Sequence, residues 1–150
     1  MARYMVGAKT TDGGTVISGG NGQPAISLYN IASRQFKLRE LGAFNTTNTA
    51  CDVLLTRATS AGTQGTALTE AKYDSESADP FSTGFNGHTA DAALVDHGYR
   101  ASLGAAIGAG VIWTFGDTGL KVAAGTANGV GVNPENGTGQ ILQAYLVWDE

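Results

Sequence analysis

Cysteine occurs once in the 150 residues, as Cys51, so no intrachain disulfide can form and the fold must rest on packing alone. A chain of this length can do that, burying roughly two-thirds of its unfolded surface in one core, and a single domain over residues 1–150 is expected. Charged residues are scarce at 15% while hydrophobic ones reach 42%, a balance that excludes a disordered chain. Long apolar runs are missing too. The best membrane candidate, the uncharged stretch from Ala101 to Gly116, falls short of the roughly 20 residues a spanning helix needs. The segment Met1 to Gly7 lacks the apolar core and cleavage pattern of a signal peptide, so a protein made in the cytoplasm and not exported by that route is expected. Proline is down to 3 residues, which leaves glycine, at 22, as the main punctuation of the chain.

Glycine at about twice its usual share works against long helices, because each interior Gly costs about 1 kcal/mol relative to Ala. It favours tight turns instead. In the last third, Ile112-Trp113-Thr114-Phe115, Leu120-Lys121-Val122, Val130-Gly131-Val132 and the run Ile141 to Trp148 are separated by Gly116-Asp117, Ala124-Gly125 and Asn136-Gly137. Short β-rich runs divided by such turns mark an all-β sandwich or barrel. In the final run Ile141, Gln143, Tyr145 and Val147 share one face and Leu142, Ala144, Leu146 and Trp148 the other. Both faces are largely apolar, as in a central strand or one at a subunit interface.

Earlier in the chain, residues 3–10 and Ala25 to Ala32 read as strands, and the Gly-rich segment 11–23 as a mobile loop or small hairpin. From Phe36 to Asn45 the alternation begins cleanly, with Phe36 and Leu38 inward and Lys37 and Arg39 outward, then slips phase. A β-bulge at Leu41-Gly42 would return Leu41 and Phe44 to the core. Cys51, Val53 and Leu55 form the inward face of the next strand, where the lone cysteine serves as a small hydrophobe. Between Ser60 and His97 the pattern reads as loop, with one helical turn at Thr69 to Tyr73 and a weak strand at Gly84 to Thr89. A stretch that long and irregular is either a functional loop or a set of unrecognised strands. Tyr99 to Leu103 resumes the strand pattern.

No catalytic signature appears. His88 and His97 lie near Asp91 and Asp96, but the spacing fits no metal motif and the two histidines read as surface turn residues. There is no Gly-x-Ser-x-Gly elbow, no P-loop and no EF-hand order in the acidic stretch 70–96. Asn45-Thr46-Thr47 and Asn136-Gly137-Thr138 match the glycosylation pattern and read as turns. Catalytic, metal and cofactor residues are therefore expected to be none.

The formal net charge of −4 is unevenly placed, with six bases against three acids in residues 1–57 and three against ten in 58–150. An acidic total disfavours nucleic acid, although Arg34, Lys37 and Arg39 cluster beside Phe36.

The phrases Gly62-Thr63-Gln64-Gly65, Thr69-Glu70-Ala71-Lys72, Gly98-Tyr99-Arg100-Ala101, Val111 to Asp117 and Ala144 to Glu150 resemble the capsid decoration, or cement, proteins of tailed bacteriophages and prophages. The resemblance covers about residues 35–150. It implies a jelly-roll β-sandwich of about eight short strands with long loops, and a homotrimer that sits on the outer surface of the virion and links major capsid protein subunits. It implies no cofactor, nucleic acid or membrane partner. On that footing the basic residues Arg3, Lys9, Arg34, Lys37 and Arg39 are expected to face the shell, Tyr145 and Trp148 to form the subunit interface, and residues 1–10 to be able to add to a neighbour's sheet edge. A carbohydrate- or receptor-binding module of a phage tail or fibre is the alternative. An enzyme of the cupin kind would need a larger cluster of metal-binding histidines than two.

Overall fold

Alternating apolar residues and glycine turns produce thirteen strands among the residues that the computed structural model describes, 1–136 and 139–150. They are β1 (Arg3–Lys9), β2 (Asn21–Gly22), β3 (Ile26–Tyr29), β4 (Phe36–Asn45), β5 (Cys51–Ala58), β6 (Thr66–Ala67), β7 (Ala71–Lys72), β8 (Thr83–Asn86), β9 (Ala92–Leu103), β10 (Gly110–Thr114), β11 (Leu120–Val122), β12 (Gly129–Pro134) and β13 (Leu142–Asp149). The turn and the glycosylation-type pattern read at Asn136-Gly137-Thr138 run into residues 137 and 138, outside the described residues. Among those described, no helix is long and apolar enough to cross a membrane.

The strands make two antiparallel sheets, β10-β4-β13-β1-β7 and β2-β9-β5-β12-β3-β8-β6. β10 and β11 pair successive halves of the same edge of β4, so they act as one strand interrupted at residues 115–119. Counted that way, β1, β3, β4, β5, β9, β10 with β11, β12 and β13 run first to eighth. The sheets then read first-eighth-third-sixth and second-seventh-fourth-fifth. That interleaving is a jelly roll.

The core lies between the sheets. Val6, Phe36, Leu38, Leu41, Ile26, Leu28, Leu55, Val132, Leu146 and Trp148 are all essentially inaccessible there. β13 is central, between β1 and β4. Its inward set is Leu142, Ala144, Leu146 and Trp148, with Gln143, Tyr145 and Val147 on the outer face. The phase slip in β4 is a bulge, placed earlier than the sequence suggests. Val147 pairs Glu40 and Trp148 pairs Leu38, which leaves Arg39 as the extra residue. Leu41 and Ala43 then turn inward and Phe44 outward, correcting the expectation that Phe44 joins the core.

Residues 59–91 are the largest correction. They carry β6, β7 and β8, and the helical turn expected at Thr69 to Tyr73 is instead β7, paired with Tyr4 and Met5. β8 pairs β3, and β6 pairs β8. The segment therefore leaves one side of the sandwich and covers the opposite side, where β1 and β3 would otherwise present bare edges. β9 begins at Ala92, seven residues before the expected strand, and a bulge around Gly98 (φ 80) breaks its alternation.

The Gly-rich segment closes as a hairpin. Ser18 and Asn21 exchange both backbone hydrogen bonds, at 2.8 and 3.1 Å, around Gly19 (φ 60) and Gly20 (φ 81). Two positive φ values in a two-residue turn are what a primed hairpin turn requires. β2 then pairs β9, and Ile17 joins a second small core of Tyr29, Ala58, Ala92 and Leu94 outside the second sheet.

Candidate binding surface

The outer face of the first sheet holds most of the residues singled out by charge. Register places Arg3, Asp149, Lys37 and Lys121 in one row across four strands. Asp149 is buried, and its carboxylate takes Arg3 Nε at 2.7 Å and Arg39 Nε at 2.6 Å. The bulge at Arg39 is what lets that side chain reach the row. Arg39 Nη1 also donates to the carbonyls of Gly116, at 2.6 Å, and Asp117. Two of the five expected contact cations are therefore committed to holding strand ends together.

The other three are dispersed. Lys37 stands directly opposite Lys121, an unfavourable like-charge pair that sequence reasoning missed because only the register brings them together. Lys9 lies at the other end of the same face, opposite Gln143. Arg34, exposed before β4, sits with its guanidinium 5.2 Å from the Phe81 ring centroid.

Burial pushes the Asp149 carboxyl up, and hydrogen bonds and charge from Arg3 and Arg39 outweigh that, leaving it below the usual carboxylate range. A carboxyl whose folded pKa is depressed stabilises the fold above its unfolded pKa, and that contribution is lost as pH falls through the folded value. Asp149→Asn should cost about 2 kcal/mol at neutral pH, between an exposed pair and a buried one, since the Arg3 side chain is 44% exposed. Urea midpoints of the two proteins measure it, and equal midpoints would show that the row is surface decoration only.

Tyr145 lies on this face, half-buried, and its hydroxyl donates to Glu40 Oε1 at 2.6 Å. Burial and that carboxylate push its pKa up to about 12. Trp148 does not lie there. It is wholly enclosed in the chain's own core, packs on Tyr4 with ring centroids 5.9 Å apart, and donates Nε1–H to Glu150 Oε1 at 2.8 Å. Trp148 as a subunit-interface residue is thus corrected: of two apolar faces on one strand, the sandwich interior takes the one that carries the indole. Residues 1–10 are no free terminal arm: β1 is built into the first sheet, paired along one edge with β13 and on the other with β7 at Tyr4 and Met5, so any pairing with a neighbour would use the edge beyond Met5.

Along the middle of this face, register gives the rows Met5-Val147-Glu40-Thr114 and Gly7-Tyr145-Gly42-Ile112, followed by Lys9-Gln143-Phe44-Gly110. Met5 is 37% and Ile112 51% exposed. A shallow cleft of about 240 Å³ opens beside them, between Arg3, Arg39, Glu40, Tyr73 and Asp117. A second hollow, on the other sheet between Ile17, Leu54 and Arg100, has its cation already paired with both Asp96 and Glu135.

The histidines form no joint site. His88 is buried rather than a surface turn residue, with Nε2 2.8 Å from Ser27 Oγ and Nδ1 without a partner. Burial pushes it down to about 4, against the opposing charge of Asp12. His97 is half-buried within β9, where burial and then Arg57 lower its pKa. Asp91 bonds Gln23, and Asp96 bonds Gly98 N and Arg100. Among the described residues no group of three or more His, Cys, Asp or Glu is placed to hold a metal ion. Burial also raises the Cys51 thiol, away from the reactive thiolate. No family model matches the chain, and no curated protein or solved structure does either.

Proposed function

We propose that the chain is a structural protein of a tailed-phage particle, a homotrimer that binds the outside of the capsid and links major capsid protein subunits. The observation that carries this reading is the strand order. The resemblance called for a jelly roll, and the two sheets interleave in that order. A surface suited to such a partner is the outer edge of β9. From Val95 onward no strand among those described pairs that edge, and Val95 and Tyr99 are 55% and 42% exposed. An unpaired strand edge flanked by exposed apolar side chains can accept a strand of another protein. With Arg3 and Arg39 held by Asp149, charge steers this contact less than the basic amino-terminal part promised. The half-buried Tyr145 and Phe44 on the opposite sheet favour a second reading, a carbohydrate- or receptor-binding module of a tail or fibre.

Quantitative mass spectrometry and antibody labelling of purified particles decide between them. Decoration requires the chain on the head at a fixed ratio to the shell protein. Labelling confined to the tail supports the second reading, and absence from particles overturns both. Light scattering tests the trimer, which a concentration-independent monomer at micromolar protein would exclude.

A further inference from the structure

Two aromatic rings on the outer face of the first sheet lie down instead of standing up. The Tyr145 ring covers Gly42 so closely that a Cβ there would come 2.2 Å from Cε1, and the Phe44 ring covers Gly110, where a Cβ would come 2.1 Å from Cδ1. Gly42 and Gly110 are the direct cross-strand partners of Tyr145 and Phe44, so each glycine provides the seat for one ring. The ring planes lie within 20° of each other, with centroids 6.5 Å apart. The result is a pair of tiles, each with one face against backbone, on residues that are half-buried rather than enclosed.

We infer that this pair is a stacking platform for the sugar rings of a glycan. A pyranose has an apolar C–H face and a hydroxyl-bearing edge. The electron-rich face of a flat aromatic ring suits the first, and polar side chains around the platform suit the second. Glu40, bonded to the Tyr145 hydroxyl, Gln143 and Thr114 provide such a rim, and the cleft beside Arg3 and Tyr73 gives room for a following residue. A protein partner is served better by an aromatic that projects into a pocket than by one laid flat. A nucleobase stacks equally well, but the two arginines nearest the cleft, Arg3 and Arg39, are already paired with Asp149, and Glu40 and Asp117 stand beside them on a chain of net charge −4, which leaves little to hold a phosphodiester there. The inference deepens the second reading given above and rests on the same two rings, but not on the capsid reading, which its failure leaves untouched.

Native gels containing dextran, galactomannan, xylan, hydroxyethyl cellulose or bacterial lipopolysaccharide test it. The wild-type chain should be retarded in at least one, Tyr145→Ala and Phe44→Ala should weaken that binding by at least about tenfold, and Tyr145→Phe should retain it. If either alanine variant loses its far-ultraviolet spectrum, Gln143→Ala and Glu40→Gln, which leave the rings in place, should still weaken binding severalfold. Retardation in none of the gels overturns the inference, as does retardation indifferent to every one of these substitutions. Self-association that Tyr145→Ala abolishes would overturn it too, by giving the face to a second copy.

Discussion

Trp148→Ala should remove about 3–5 kcal/mol of stability, the range for emptying a large buried aromatic site. Against a total of about 5–15 kcal/mol for a domain, that is enough to leave much of the protein unfolded at ambient temperature. The indole is wholly buried, its ring packs on Tyr4, and its N–H holds Glu150, whose carboxylate in turn takes the backbone N–H groups of Phe81 and Ser82 at 3.4 and 3.5 Å. Part of the loss should therefore appear as loosening of residues 79–82 in hydrogen exchange. Tyr145→Ala, on the opposite face of the same strand, should cost far less. A small loss for Trp148→Ala, accompanied by weakened self-association, would restore the indole to an interface.

Acidification should weaken the fold well before the usual carboxylate range is reached. His88 carries a pKa of about 4 in the folded chain, against the 6.5 of a free imidazole. Between those values the unfolded chain binds the proton and the folded one does not, so stability falls as pH drops through the window. The full difference is about 3 kcal/mol, complete near pH 4. His97 contributes in the same direction, whereas Glu150, raised by burial, opposes it, because a raised carboxyl favours the fold at low pH. Comparing urea midpoints of wild type and His88→Gln at pH 7, 5.5 and 4 isolates the buried imidazole. The variant should show a flatter decline, and parallel curves would mean that His88 is solvated in solution.

The strands legible in the sequence are those long enough to show an inward set over several residues, even where a bulge shifts its phase. β4, β5 and β13 have one inward set each, and glycine turns separate the strands of the last third. The faces of β13 could be written down in advance, but which of them points inward depends on the two neighbouring strands, and with apolar residues on both sides the pattern has no vote. Residues 59–91 hid their structure because strands of two residues, such as β6 and β7, have no period to detect. β9 concealed its first half behind the Gly98 bulge. The binding surface was the least legible part. Asp149 meets Arg3 and Arg39 across 146 and 110 residues, and the seating of Tyr145 on Gly42 and of Phe44 on Gly110 depends wholly on register. Local sequence carries the strand, and only the sheet carries the row.

The position of β13 between β1 and β4 bears on how the protein is made. All seven residues of β1 find partners in β13, from Arg3 opposite Asp149 to Lys9 opposite Gln143, and β4 waits for the same strand on its other side. On a ribosome the first sheet therefore stays open down its middle until residues 142–149 emerge, however early β1 and β4 are synthesised. Closing loops of that length before any pairing rewards them makes for slow folding. Until then the nascent chain exposes two long apolar strand edges, the form in which β proteins pair with the wrong partner. A translation product cut short before Leu142 keeps those edges permanently, so synthesis through the last strand separates a folded sandwich from an aggregating fragment.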